Sequence, residues 1–232
     1  MIIHRNAETA PFELFINNNR IERVDCIEYL GIKIDDKLTW KTHIKYIEGK
    51  LSSACGAIYR LRDKVNQECL RSFYFAHIYF HLQYSILAWY NTQKYNLKRI
   101  ESTHCKAVRL MTLHGPLQNF FFSAYEMFKN MNLLKTEDIY KLEMAKFMYR
   151  LNNNDLPIAF NSHFTRIDSM HSYSLRSIKT KVFYTKSANT KQYKSWITHA
   201  GVELWSAINP SLKELSLKTF SFQFRKDLID SY

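Results

Sequence analysis

The sequence predicts an α+β fold that is mostly α, with a small N-terminal antiparallel β-sheet followed by a helical region. Three observations predict it. Apolar residues alternate with polar ones only before residue 35, and from residue 44 they recur at helical spacing. Only 5 Gly and 4 Pro occur among 232 residues, which leaves little room for an all-β fold built on tight turns. Hydrophobic content of 46% and charged content of 23% are ordinary for a folded chain and exclude wholesale disorder. A chain of this length buries a sizeable core, as one large domain or two small ones.

The segments MIIH, FELFI, RIERV and CIEYLGIKI read as strands. Asn17, Asn18 and Asn19 supply the turn between the second and third, because Asn tolerates left-handed backbone angles. In the fourth strand Gly31 breaks the alternation and reads as a bulge or a close backbone approach. Asp35 and Asp36 then end the strand as a solvated turn. Such a sheet buries one face, so an exposed apolar surface or an unpaired edge is expected on it.

Ile44, Ile47, Leu51, Ala54, Ile58, Leu61 and Val65 form one apolar stripe, the pattern of an amphipathic helix. Lys45, Lys50, Arg60, Arg62 and Lys64 fall mostly off it, as a solvated polar face or as a grip on a polyanion. Residues 73–93 contain no Asp, Glu, Lys or Arg, which matches a membrane span in length. His77, His81, Gln83, Asn91 and several Tyr are costly in hydrocarbon, so a buried central helix is the expectation. His77 and His81 share a helical face, but no Glu follows His77 and no third ligand suggests itself, so packed or hydrogen-bonded imidazoles are expected.

In the next helix Leu97, Ile100, His104, Val108 and Met111 lie inward, while Lys98, Arg99, Lys106 and Arg109 make a second basic face. Gly115 and Pro116 stop it. Adjacent His104 and Cys105 point about 100° apart, which argues against a thiolate–imidazole pair. Residues 118–131 and 135–152 read as two further helices. Thr136 is expected to cap the second, with Ile139, Leu142, Ala145, Met148 and Tyr149 inward. The run Asn152, Asn153, Asn154, Asp155, Leu156, Pro157 is a break. It divides the chain into 1–43, a β segment; 44–152, a basic helical domain; and 153–232, a mixed segment with terminal helices. Residues 160–195 are polar and basic without periodicity, a loop or a strand pair that orders on nucleic acid. KSWITHAGVELWSAI, stopped by Asn209 and Pro210, and KTFSFQFRKDLI close the chain as helices.

The net charge of +12 is unevenly placed. Residues 1–43 carry 6 Lys/Arg against 7 Asp/Glu, residues 44–114 carry 11 against 4, and residues 115–232 carry 16 against 10. The basic excess therefore begins where the helices begin. Basic helices interleaved with aromatics, 15% of the chain, suit nucleic acid, since cations release counterions from phosphates and rings stack on bases. Cys26, Cys55, Cys69 and Cys105 are too widely spaced for a zinc ribbon. Without a signal peptide in view, reduced, buried thiols and an intracellular location, nucleus or cytoplasm, are expected.

The string YLGIKIDDKLTWKTHI, residues 29–44, closely resembles the segment after the catalytic core in reverse transcriptases of non-LTR retrotransposons, jockey-like elements in particular. MIIHR, INNNRIERVDCIEYLGI, KLSSACGAIYRLR and AGVELWSAINPSLKELSLKTFSFQFRKDL resemble that family in order, most specifically over residues 16–62. The resemblance implies a fold in which the strands close a palm and the helices form a thumb. It makes Tyr29, Leu30, Gly31 and Ile32 primer-grip-like and the parent a Mg²⁺-dependent, RNA-directed DNA polymerase. It also places the family's metal-binding carboxylates before residue 1, and Ile34, Asp35 and Asp36 do not replace them, because two-metal chemistry needs carboxylates converging from separate strands.

No catalytic residue, metal ligand or cofactor is therefore expected in this chain. Nucleic acid is the expected partner, held by Lys41, Lys45, Lys50, Arg60, Arg62, Lys64, Lys98, Arg99, Lys106 and Arg109. The missing polymerase portion or another protein is a further partner, and no membrane is expected. Two alternatives stay open: a protein-interaction module docking through its exposed sheet, and an element relic without function.

Overall fold

The computed structural model describes residues 13–112, 124–167, 182–185 and 189–232, together with Met1, Ile3 and Ser187. The chain is α+β and mostly α, with its antiparallel strands at the N-terminal end. The strands differ from the single sheet expected. β1 (Leu14–Ile16) pairs with β2 (Asn19–Ile21), and β3 (Cys26–Tyr29) pairs with β4 (Ile32–Asp35), as two separate hairpins. Asn17 and Asn18 have φ of 48° and 64°, so they form the two-residue turn that their residue type predicts. CIEYLGIKI is not one bulged strand. Leu30 and Gly31 have φ of 49° and 76°, the positive pair of a tight hairpin turn, and the chain doubles back there to bring Tyr29 opposite Ile32. Ile2 and His4 of MIIH lie outside the described residues.

The strand faces are largely uncovered: Leu14, Phe15, Ile16, Ile21, Tyr29 and Leu30 are all exposed. β4 is the strand that reaches the helical part, lying against α1 (Lys41–Leu61). Asp35 joins the two. One carboxylate oxygen accepts the N–H of Thr39 at 2.8 Å and the other that of Trp40 at 2.7 Å. The expected solvated turn is thus a cap that satisfies backbone donors ahead of the helix, with Trp40 at φ 62° turning the chain into it.

α1 buries Ile44, Ile47, Leu51, Ala54 and Ile58, as its stripe predicts, and adds His43 and Cys55. The following apolar run is not one helix. α2 (Gln67–Tyr74) passes through a π turn (Phe75–Tyr79) into α3 (Phe80–Gln83); Tyr84 at ψ 118° and Ser85 at φ 51° then break the chain before α4 (Ile86–Trp89). The break satisfies itself, because Trp89 Nε1 donates to the Tyr84 carbonyl at 3.0 Å. None of the described helices is long and apolar enough to cross a membrane.

α5 (Lys94–Thr112) runs parallel to α1: Glu48 meets Arg99, and Cys55 Sγ donates to the Thr103 carbonyl at 3.7 Å. The expected stop at Gly115 and Pro116 lies outside the described residues. α6 (Ala124–Asn130) ends where Arg71 and Arg225 donate to the carbonyls of Met131 and Asn132, cations answering the negative end of a helix.

α7 (Thr136–Asn152) is the centre of the molecule, packed by α3, α4, α5, α9 (Val202–Ala207) and α11 (Leu217–Asp230). It buries Ile139, Leu142, Ala145, Met148 and Tyr149 as expected, and Tyr140, Met144 and Leu151 as well. A helix apolar on most sides belongs inside. Thr136 does not cap it. Its hydroxyl lies 2.9 Å from His104 Nδ1, while Tyr74 OH lies 2.7 Å from Nε2, so three buried polar groups on α2, α5 and α7 satisfy one another.

After the break at Asn153 and Asn154, a 3₁₀ turn (Ile158–His163) leads to an antiparallel bridge between Arg166 and Phe183. The remaining helices are α8 (Lys191–Ser195), a π turn (Ile197–Gly201), α9, α10 (Pro210–Lys213) and α11. Trp205 and Phe220 pack onto Tyr149 with ring centroids 6.4 Å and 5.1 Å away, and the buried apolar cluster is continuous from Ile44 to Ile229.

Candidate nucleic-acid interface

The Leu30/Gly31 turn is held over the helices by a tyrosine. Tyr84 OH donates to the Leu30 carbonyl at 2.6 Å, and this is made possible by the backbone break at Tyr84. A Cβ on Gly31 would meet Tyr84 Cε1 at 3.9 Å, an ordinary contact, so the glycine is required by its φ of 76° and not by lack of space. Beneath the turn lies a cleft of ≈ 320 Å³ lined by Leu30, Gly31, His43, Tyr46, Ile47, Phe80, His81 and Tyr84. Of the four primer-grip-like residues, Leu30 and Gly31 line it, whereas Tyr29 is exposed at the turn's other shoulder and Ile32 begins β4.

Its charge comes from lysines. Lys33 Nζ stands 5.3 Å and Lys50 Nζ 5.4 Å from the centroid of the Tyr46 ring, so two ammonium groups share one phenol. Lys33 also pairs with Glu28 at 3.4 Å. Burial, and then Lys33, lowers the pKa of His43; burial, and then Lys50, lowers that of His81. Both imidazoles are therefore neutral at pH 7. His43 Nδ1 accepts the Lys33 N–H at 3.4 Å, while Nε2 is buried with no partner among the described residues.

Of the ten predicted phosphate contacts, Lys41, Lys45, Lys50, Arg60, Lys64, Lys98, Arg99, Lys106 and Arg109 are exposed, and Arg62 is half-buried. They do not share one surface. Lys45 and Lys50 stand about 140° apart around α1 at ~100° per residue. The position of Glu48 against Arg99 puts Lys41 and Lys45 toward α5. Lys50 turns toward Tyr46 and the cleft. Two of the ten are already engaged: Arg99 makes a two-point ion pair with Glu48 at 2.5 Å and 3.1 Å, and Arg62 lies over Tyr59 with Asp63 at 3.5 Å. Along the seam between α1 and α5 Arg99 meets Glu48, with Tyr95 beside Arg99 at 5.9 Å, and Lys106 lies further along, by Cys55. Lys98 and Arg109 stand about 80–100° around α5 from Arg99. Sequence reasoning passed over Lys33, Tyr46, Phe80 and Tyr84. The four-residue spacing of Tyr46 and Lys50 was a signal for one pair, but the rest meet across elements.

The reactive-looking pairs resolve into structural roles. His104 spends both ring nitrogens on Tyr74 and Thr136, and burial pushes the Cys105 thiol up, so no activated thiolate is present there. His77 stacks against Phe73 at 4.3 Å and His81 stands edge-on to Phe80 at 5.7 Å. All four cysteines are free, and the expectation that they are buried fails for Cys26 and Cys69, which are exposed.

Asp35 and Asp36 do not fit a two-metal centre. Both oxygens of Asp35 already accept backbone N–H groups, and no group of three His, Cys, Asp or Glu side chains converges among the described residues. Comparison with protein-family models, curated proteins and solved structures finds no match.

Proposed function

We propose that the chain is the C-terminal part of an RNA-directed DNA polymerase of a non-LTR retrotransposon, comprising the end of the palm, the thumb and a C-terminal region. It holds nucleic acid through its basic helices and does not join nucleotides by itself. The observation that carries this reading is the seat of the Leu30/Gly31 turn, at the heart of the resembling segment, on a helical unit whose exposed cations outnumber their ion pairs. Lys41, Lys45, Lys50, Arg60, Lys64, Lys98, Lys106 and Arg109 have no ion pair among the described residues and are available to phosphates. The engagement of Asp35 in capping supports the non-catalytic part.

A salt titration tests it. Affinity for a labelled oligonucleotide should fall log-linearly with salt, and absence of binding at low salt would refute the reading. Template-primed extension with Mg²⁺ or Mn²⁺ tests the second part: robust synthesis that is lost in Asp35→Asn would overturn it. A second reading, a protein-interaction module, is favoured by the apolar β1–β2 hairpin, where Leu14, Phe15, Ile16 and Ile21 are 42–62% exposed. It predicts a partner whose binding survives high salt and is lost in Phe15→Asp.

A further inference from the structure

We propose that the cleft beneath the Leu30/Gly31 turn takes one unstacked base of a single-stranded nucleic acid, with the flanking phosphate held by Lys33 and Lys50. This rests on the nucleic-acid reading above and narrows it to a ligand and a place. The aromatic wall is the first support. Phe80 is 54% exposed at the cleft and stands 6.0 Å from the Tyr84 ring at 28°, leaving an aromatic surface open for a base to lie against. The second is charge: Lys33 and Lys50 are gathered on Tyr46 at the same cleft, a short reach from any base seated there.

The third is an orphan donor. His43 is only 2% exposed, and its Nδ1 accepts the Lys33 N–H, so the neutral ring carries its hydrogen on Nε2. That N–H finds no acceptor among the described residues. Ring nitrogens and carbonyl oxygens of a base are acceptors of the kind it lacks, and His43 lines the cleft. At ≈ 320 Å³ the cleft stands at the low end of small-ligand sites and has room for a base. A duplex keeps its bases stacked and cannot fill it, whereas a single strand can turn one out.

Fluorescence anisotropy tests this with a short labelled oligothymidylate and a strand of abasic units with the same number of phosphates. The proteins are wild type, Phe80→Ala, His43→Phe and the distant Lys98→Ala/Lys106→Ala. The abasic strand should bind about tenfold more weakly than oligothymidylate. Phe80→Ala should produce a similar loss on oligothymidylate and none on the abasic strand, with the salt slope unchanged. His43→Phe should weaken oligothymidylate binding and leave binding of the abasic strand unchanged, since it deletes the unpartnered Nε2 donor; any fall in Tm reflects loss of the acceptor for the Lys33 N–H. A drop in Tm with no loss of binding would mark His43 as structural and remove the third support.

Equal binding of both strands by wild type, or Phe80→Ala binding oligothymidylate normally, overturns the base site. In that case reduced affinity of Lys98→Ala/Lys106→Ala for both strands leaves the basic-helix reading standing. No binding of either strand at low salt overturns both.

Discussion

His104 makes stability depend on pH in a calculable way. The ring is 1% exposed, and burial lowers its pKa from 6.5 to about 3 in the fold. Below pH 6.5 the unfolded chain binds a proton there and the folded chain does not. Its contribution is thus fully present above pH 6.5 and is lost progressively as pH falls toward about 3. Between pH 7 and pH 5 the loss is about 2 kcal/mol from this one residue.

Urea unfolding followed by tryptophan fluorescence at the two pH values measures it, because Trp89 and Trp205 are both buried. The control is His104→Gln, which does not titrate. It should cost about 1–3 kcal/mol at pH 7, since Tyr74 OH and Thr136 Oγ1 lose their fitted partner. Its own decline from pH 7 to pH 5 should be smaller than that of wild type by about 2 kcal/mol. Burial also lowers the pKa of His43, which adds a decline common to both proteins and cancels in the difference. Equal declines in the two proteins would refute the reasoning, for they would mean that the buried ring accepts a proton without unfolding.

Three further outcomes follow from the same geometry. Gly31→Val forces a β-branched residue to φ 76° and should destabilise by about 1–2 kcal/mol, read as a lower urea midpoint at an unchanged m-value. Asp35→Ala strips two backbone N–H groups of their acceptors ahead of α1 and should cost about 0.5–2 kcal/mol in the same assay. Gly201→Ala places a Cβ 3.0 Å from Met148 Sδ and 3.2 Å from Ile197 Cγ1; a Tm equal to wild type would show that the core there gives way more easily than its packing implies.

The elements that periodicity governs were legible in the sequence. The stripes of α1, α5 and α7 name most of their buried residues, with Leu61 and Leu97 only half-buried, because an amphipathic helix places its own apolar face wherever its partners lie. The Asn17/Asn18 turn was legible for a similar reason, since its residue types tolerate the angles it needs. Leu30 hid the second turn: a Leu beside Gly31 reads as strand, and the left-handed angle is imposed by the pairing of β3 with β4 and by the bond from Tyr84. The break at Tyr84 and Ser85 carries no Gly or Pro and was invisible for the same reason.

Thr136 shows how a local signal yields to a distant one. Its residue type predicts a cap, yet its hydroxyl is taken by the buried imidazole of His104 at 2.9 Å. Local propensity and spacing thus set which residues are helical and which side of each helix is apolar. Packing alone decided that Lys33, Tyr46, Phe80 and His43 share a cleft. Residues brought together from a strand and two helices have no fixed spacing along the chain; their meeting is a property of how the burial of one apolar face selects its neighbours.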